Sequence, residues 1–405
     1  MAILSMKTRK EVIGAQKKAY QKAEKKKKSE IISSLCETTG LSRDRISRIL
    51  RESEGLKKKV KRETRGRKKK YDNSLLTELQ RIWVILDCSC GKRMAAGMKG
   101  VLEALIRFDE ISADEEAINK LRTISPATID RLLSAAKQQF IGKGRSTTKP
   151  GTLLKKDIPM RTGTDWNENS PGFVEIDLVA HCGDTTAGEY INTLDVTDVC
   201  SGWTETQAVI NKAQVHVFEG IKDIRTRLPF ELYGIDSDNG SEFINHQLFR
   251  YCKQEGILFT RSRSYRKNDS CYVEQKNYTI VRRNIGYERY ESPDALRLMN
   301  EYYALLRLRT NFFMPSLKLE SKTRDGARIK KKYYDPKTPC QRLIESEHLD
   351  ETQKKKLIET YQTINPAEIS RKMIAILEKL GKASVPYQEY SSKVARAALS
   401  LKPPV

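Results

Sequence analysis

The sequence has no apolar run long enough to cross a bilayer, and its basic N-terminus lacks the apolar stretch of a signal peptide. Histidine is scarce. The four present, His181, His216, His246 and His348, are scattered. The eight cysteines show no framework spacing, and Cys88 and Cys90 form a C-x-C with no second pair nearby. No zinc-finger pattern or disulfide scaffold follows from such a set. The expectation is a cytoplasmic chain with reduced thiols and no membrane partner. Acidic residues are outnumbered, 52 against 75 Lys and Arg, for a net charge of +23. At 405 residues the chain has room for more than one domain.

The positive charge is concentrated at the start. Residues 1–72 carry 24 Lys and Arg against 9 Asp and Glu. Polyanion binding is the simplest use of such a segment; a solvated tail is the plainer alternative. Within it, Ser29 to Arg51 reads as two helices around a turn at Thr38-Thr39-Gly40. Ile31, Ile32 and Leu35 share one helical face, and Ser42 is placed to cap a second helix with Ile46, Ile49 and Leu50 inside. The pattern is similar to a helix-turn-helix, with Arg43, Arg45, Arg48 and Arg51 as candidate DNA contacts; a plain helical hairpin is the other reading. Arg65-Gly66-Arg67 resembles the centre of an AT-hook without its proline, so Arg65 and Arg67 are read as a phosphate-binding tether.

Residues 72–140 form a second helical, DNA-binding module in this reading. Leu75, Leu79, Ile82 and Leu86 repeat at helical spacing, as do Met98, Val101, Leu102 and Leu105. Ser125-Pro126 opens a helix with Ile129, Leu132 and Leu133 inside and Thr128 and Arg131 pointing elsewhere. Residues 141–169, rich in Gly, Pro and Lys, read as a basic linker.

From residue 170 the period changes to two. Phe173 to Val179 alternates strictly, with Glu175 and Asp177 on one face and Val174, Ile176 and Leu178 on the other. Tyr190–Val196 and Trp203–Val209 read as further strands with short connections, hence antiparallel. A helix with Val217, Ile221 and Ile224 inside follows, then a strand at Leu232–Asp236, a helix at Phe243–Glu255, a strand at Ile257–Arg261 and a helix that Glu274 opens. This order predicts a mixed five-stranded sheet with helices on both faces. The acids stand at definite places: Asp177 on the first strand, Asp238 in the turn Asp236-Ser237-Asp238-Asn239-Gly240-Ser241-Glu242-Phe243, and Glu274 beyond it. Sixty residues separate the first two and 35 the last two. Taken singly, Asp236 and Asp238 are turn formers as readily as ligands. Glu175 is a candidate outer group, Asp195 and Asp198 are expected to shape a strand and its turn, and His181 is expected at the surface.

An Asp on the first strand, an S-D-N-G-S-E-F turn after a later strand, and a Glu 35 residues on resemble the DDE integrases and transposases. The flanks, Leu-Pro-Phe-Glu-Leu-Tyr-Gly-Ile before the turn and Tyr-Val-Glu-Gln-Lys-Asn after it, look like the bacterial insertion-sequence transposase branch. The resemblance covers roughly residues 171–290. It implies an α/β RNase H-like core, a polynucleotidyl transferase, and Asp177, Asp238 and Glu274 as both catalytic residues and ligands of two Mg²⁺ ions, with Mn²⁺ as substitute. It also makes Asp238 rather than Asp236 the second ligand. Phosphodiester cleavage and joining are in-line displacements, which paired divalent ions held by carboxylates suit, and no Ser or Tyr nucleophile is needed. Arg263, Arg266, Lys267, Lys276, Arg282 and Arg283 are the expected DNA contacts around Glu274. Two departures stand out: no proline or glycine lies in the Ser264–Ser270 loop, and no His-His-Cys-Cys zinc module precedes the core.

The expected organisation is therefore 1–71 basic helix-turn-helix-like region, 72–140 second module, 141–169 linker, 170–290 catalytic core and 291–405 C-terminal basic module and helical tail. In the last part Arg324, Arg328 and Lys330–Lys332 beside Tyr333 and Tyr334 make a basic-aromatic mixture suited to DNA. The expected partners are double-stranded DNA, as element ends and target in a prokaryotic nucleoid, and further copies of the chain assembled on it. The competing readings are a catalytically inactive transposase-derived DNA-binding protein and a metal-dependent nuclease.

Overall fold

The computed structural model describes residues 5–51, 71, 73–138, 160–161, 170–262, 271–325 and 328–384. It divides into two units, Met1–Lys69 and Lys70–Val405.

The first unit is a three-helix cluster: α1 (Met6–Lys22), α2 (Lys25–Thr39) and α3 (Arg43–Arg51). Each contributes one apolar face, Ile13 and Tyr20 from α1, Ile32 and Leu35 from α2, and Ile46 and Leu50 from α3. Gly40 ends α2 with φ +67° and gives its N–H to the Cys36 carbonyl, a left-handed cap that glycine adopts without steric cost. Only Gly40, Leu41 and Ser42 separate α2 from α3, and the Ser42 carbonyl receives the first helical N–H of α3, from Ile46. Arg45, Arg48 and Arg51 are exposed on α3.

In the second unit, five helices come first: α4 (Asn73–Ile85), α5 (Gly91–Arg107), α6 (Glu115–Arg122), α7 (Pro126–Leu132) and α8 (Ser134–Gln138). Ser125 caps α7 through the Thr128 N–H, with Pro126 at its first position, as the Ser-Pro pair implies. The strands and helices of the sheet follow: β1 (Met160–Arg161), β2 (Phe173–Ala180), β3 (Asn192–Asp198), β4 (Thr204–Val209), α9 (Gln214–Arg227), β5 (Gly234–Ser237), α10 (His246–Gln254), β6 (Leu258–Ser262) and α11 (Cys271–Lys276). A π-helical stretch, Asn277–Arg282, continues α11 into the short α12 (Arg283–Ile285). Then come α13 (Pro293–Leu308), a π stretch Arg309–Phe313, the ribbon β7 (Leu319–Asp325) and β8 (Arg328–Tyr333), and α14 (Pro339–Glu345), α15 (Glu351–Thr363) and α16 (Pro366–Ala383).

The sheet runs β1-β6-β5-β2-β3-β4. β2, β3 and β4 are antiparallel in sequence, whereas β5 and β6 lie parallel to β2 on its other side. The sheet has six strands rather than five, because Met160 and Arg161, assigned from sequence to the linker, pair with Arg261 and Ser262 at the edge. On one face of β2, β3, β5 and β6, the residues Val174, Ile176, Leu194, Val196, Ile235 and Phe259 pack against Val217 and Ile221 of α9 and Leu248 and Cys252 of α10. The other face is polar and is covered by α11 and its π continuation.

Residues 72–140 do not form a core of their own. Leu79, Ile82, Leu102, Leu105 and Leu133 belong to one apolar cluster with Tyr302, Tyr303 and Leu306 of α13 and Met373 and Leu380 of α16. The cluster is tied by Glu110, which receives hydrogen bonds from Arg81, Arg371 and Asn365. These contacts hold its carboxyl down to about pKa 2, the Arg371 bond being the largest cause. In the expected helical tail, α16 buries Ile369, Met373 and Leu380 within the chain, whereas Ala375 is exposed.

Candidate active site

The polar face of the sheet is built by alternation. Glu175 and Asp177 on β2, Thr193 and Asp195 on β3, Asp236 on β5 and Thr260 on β6 all lie on it, because cross-strand partners share a face: Asp177 with Asp195, Glu175 with Asp236, and Asp236 with Thr260. The β2–β5 register ends at Ile176 opposite Ser237. Continuing it by one residue sets Asp177 beside Asp238, on strands that are about 4.8 Å apart. Both residues are half-buried, whereas Glu175, Asp195 and Asp236 are fully buried. That separates Asp238 from Asp236, whose carboxylate sits inside the sheet and accepts the Thr260 hydroxyl at 2.5 Å.

Asp238 is held in its turn by the Gly240 N–H, 2.8 Å from its Oδ1. A Cβ at Gly240 would meet the Glu242 carboxyl at 2.6 Å and Asp238 Oδ1 at 2.9 Å, so a larger residue there would displace both carboxyl groups. Burial raises the Asp238 pKa, and the Gly240 N–H opposes the rise. Burial raises Glu242 as well, with the Asp238 charge adding to it. These crowded oxygens favour a positive charge close by.

Two contacts fix the helix that carries Glu274. The Glu175 carboxylate accepts the N–H groups of Tyr272 and Val273 at 2.8 and 2.7 Å, in the first turn of α11, where backbone donors have no helical partner. Asn277 donates its amide to Asp177 Oδ2 at 2.5 Å. Glu274 lies one residue beyond the first anchor and three before the second, the spacing of one helical turn. The helix changes to the wider π form at Asn277, and such turns concentrate at functional sites. Among the described residues no three His, Cys, Asp or Glu side chains converge as a metal group; the Glu274 side chain is not among those described.

Deeper in, Asp195 is fully buried opposite Asp177 and receives the Thr197 hydroxyl at 3.4 Å. Burial pushes its pKa to about 8 against the pull of Lys276. Lys276, half-buried on α11, is pushed down to about 8 by burial, with Asp195 opposing. Its ammonium reaches the Gly202 carbonyl at 3.5 Å. Lys276 is thus turned toward the interior and is not one of the DNA contacts expected of it; a six-residue helix passing into a π turn gives no periodicity from which to read its face.

The other expected contacts divide. Arg45, Arg48 and Arg51 are exposed, and so is Arg131, which bonds Thr128. Arg43 is occupied with Ser33 and Ser29, bracing α3 on α2. Arg282 is occupied with the Ala180 carbonyl and the Tyr287 ring, and Arg283 with Asp87. Arg65, Arg67, Arg263, Arg266 and Lys267 lie outside the described residues. His181, expected at the surface, is fully buried: its Nε2 meets the Thr193 hydroxyl at 2.7 Å, its ring meets Tyr290 edge-on, and burial drives its pKa well below the ordinary value. Asp198 does shape the β3–β4 turn, accepting the Ser201 N–H and hydroxyl and the Gly172 N–H. Glu175, read from sequence as a candidate outer group, and Asn277, given no role there, are the positioning groups. Glu175 was legible only as a face-sharing neighbour of Asp177, and Asn277 carried no signal beyond its place one turn after Glu274.

No family model matches the chain. It is 37% identical over 339 residues to "Uncharacterized protein y4rM" of Sinorhizobium fredii (strain NBRC 101917 / NGR234), covering 84% of this chain and 96% of that protein. Among solved structures, the catalytic core domain of BIV integrase matches 44% of this chain and 97% of its own length at 17% identity, with a TM-score of 0.29. The HTLV-2 integrase catalytic core domain in complex with magnesium matches 36% and 90% at 14% identity, with a TM-score of 0.26.

Proposed function

We propose that this chain, which belongs to one family with the protein y4rM, is a DDE transposase that binds the ends of a DNA element and carries out metal-dependent end cleavage and strand transfer. The observation that carries the reading is the convergence of three separately encoded elements. Continued by one residue, the β2–β5 register would set Asp177 beside Asp238, and Glu175 and Asn277 hold the helix of Glu274 against β2. The acids are the ones that the resemblance to the DDE integrases and transposases implies.

The donor set fits a hard divalent cation. Asp177, Asp238 and Glu274 would offer carboxylate oxygens only, and Mg²⁺ takes oxygen ligands while retaining water. Asp177, Asp238 and Glu274 are the residues that would hold the divalent ions. Bound there, the ions supply Lewis-acid stabilisation of the attacking and leaving oxygens at phosphorus. The chain's own groups do the positioning. Asn277 fixes one oxygen of Asp177, the Gly240 N–H fixes one of Asp238, and Glu175 sets the axial position of Glu274. Water would serve as nucleophile in end cleavage and a 3′-hydroxyl in joining, with no covalent link to the protein.

The first unit supports DNA binding. Its three-residue turn between α2 and α3 and the exposed Arg45, Arg48 and Arg51 suit a helix-turn-helix whose α3 enters the major groove. Two element ends must be brought together, so more than one copy is expected on DNA. No helix among the described residues is long and apolar enough to cross a membrane.

The test is strand joining with DNA fragments that flank the gene, in Mg²⁺, comparing the wild type with Asp238→Asn. Joined products from the wild type alone, with equal DNA binding by both proteins, are expected. Joining that persists in Asp238→Asn would remove that residue from the site.

A further inference from the structure

We infer that the β7–β8 ribbon is a second DNA-holding element, one that lies within a groove of duplex DNA beside the acidic site. The inference rests on the DNA-joining function proposed above and adds to it the surface that grips the substrate near the chemistry.

The ribbon is only two strands, paired from Leu319 opposite Tyr333 to Asp325 opposite Arg328. It forms a sheet of its own, and an isolated two-stranded ribbon is marginally stable in water. Its exposed cations suit a polyanion, and one of them, Lys332, is paired with Glu320 at 2.6 Å.

The distribution of charge selects the kind of polyanion. Lys330, Lys331 and Lys332 are consecutive and all exposed. Alternation sends Lys330 and Lys332 to one face and Lys331 to the other. Both faces of the ribbon are therefore basic. A membrane or a flat acidic protein surface meets one face only. A DNA groove has a phosphate row along each wall, and the major groove, about 12 Å wide, admits a two-stranded ribbon. Tyr333 and Tyr334, 39% and 54% exposed, stand at the root and add aromatic area next to the cations.

The root also places the ribbon. Lys318 donates to the Cys200 carbonyl at 2.9 Å, and Arg342 joins Ser316 to the Ser201 carbonyl at 2.9 Å. That β3–β4 turn ends at Gly202, whose carbonyl meets Lys276 on α11, two residues from Glu274. A duplex held by the ribbon therefore runs beside the helix of the candidate site.

The experiment uses the full chain and a fluorescent duplex of about 30 base pairs and arbitrary sequence, with the dissociation constant followed from about 50 to about 200 mM salt. Each phosphate contact contributes about 0.9 to the slope of log K against log salt, so Lys330→Gln/Lys331→Gln is expected to flatten the slope by roughly 2 and weaken binding throughout. Lys355→Gln/Lys372→Gln, which removes the same charge from α15 and α16, is expected to keep the wild-type slope. Unchanged melting of both variants separates lost contacts from lost folding. A ribbon variant with the wild-type slope overturns the inference while leaving the proposed function standing. Equal flattening by both variants overturns it too, as a bulk charge effect. A ribbon variant that loses binding only to phosphatidylserine vesicles makes the partner a membrane and overturns it. A wild type that fails to bind the duplex at low salt sinks the proposed function along with the ribbon.

Discussion

The two faces of the same four strands are made from opposite materials. Val174 and Ile176, Leu194 and Val196, Ile235 and Phe259 alternate along β2, β3, β5 and β6 with Glu175 and Asp177, Thr193 and Asp195, Asp236 and Thr260. The first set buries hydrocarbon against α9 and α10. The second buries Glu175, Asp195 and Asp236, with α11 packed against β2 and β3. Burying apolar side chains stabilises the fold, while burying carboxylates costs several kcal/mol each unless they are bonded or paired. A chain that needed only stability would make both faces alike. The contrast fits an acidic face kept for the proposed site at Asp177 and Asp238, with its interior acids as supports: Glu175 caps α11, Asp236 takes Thr260, and Asp195 faces Lys276.

The sharpest way to break the contrast is to neutralise the acids of the proposed site. Asp177→Asn and Asp238→Asn are each expected to abolish joining. Asp238→Asn is also expected to melt higher than the wild type at neutral pH. The folded pKa of Asp238 is raised by burial, so its carboxylate form works against the fold once pH exceeds the unfolded value, and the amide removes that cost. Activity assays beside calorimetric melting check both halves; a lower melting temperature would mean that the acid is structural.

The converse change is on the apolar face. Leu194→Ala removes a fully buried side chain and is expected to cost about 2–5 kcal/mol in denaturant unfolding. Metal binding by the fraction that remains folded should be unchanged. A loss confined to metal binding would contradict the division of labour between the faces.

The positions of the elements show how much of this was legible. Period-two alternation marks β2 and its acids, and the resemblance carried by Asp177, Asp238 and Glu274 points to the proposed site before any coordinates. The pairing of Asp177 with Asp238 is a matter of register, which alternation alone does not give. The Glu175 cap joins residues 97 and 98 positions apart, and nothing local to either end announces it. The helical stripes at Leu79–Ile82 and Leu102–Leu105 were read correctly as core, yet their partners on α13 and α16 are more than 190 residues away. An apolar stripe states that it will be covered and leaves the covering element open. Lys276 and His181 went astray for a related reason: charge and polarity suggest the surface, and only a buried partner, Asp195 or Thr193, keeps them inside.

Glu110 offers a contrast between acids. Unlike Asp195, it is bonded by two arginines and an asparagine, and its pKa falls to about 2. Its contribution is therefore fully present above the unfolded carboxyl value and is lost as pH drops toward 2. Glu110→Gln is expected to lower stability by about 2–3 kcal/mol at pH 7. The gap to the wild type should close as melts are run from pH 5 downward; a gap independent of pH would place the effect in packing instead.

The smallest expected effect is at the cap. Glu175→Gln keeps the shape but gives the Tyr272 and Val273 N–H groups a neutral acceptor. Divalent-metal affinity is expected to drop about 10-fold, as for other groups that orient ligands, with joining recovered at raised Mg²⁺. Loss of joining that no metal concentration restores would make Glu175 a ligand rather than a support.

The central claim is that Asp177, Asp238 and Glu274 share one metal site. The most direct test is anomalous diffraction from crystals soaked in Mn²⁺. The account predicts manganese bound by at least two of these carboxylates, with Asp177 among them and Asp236 and Asp195 left uncoordinated. A well-ordered core in which the three carboxyl groups lie apart, with manganese absent or bound elsewhere, would contradict it.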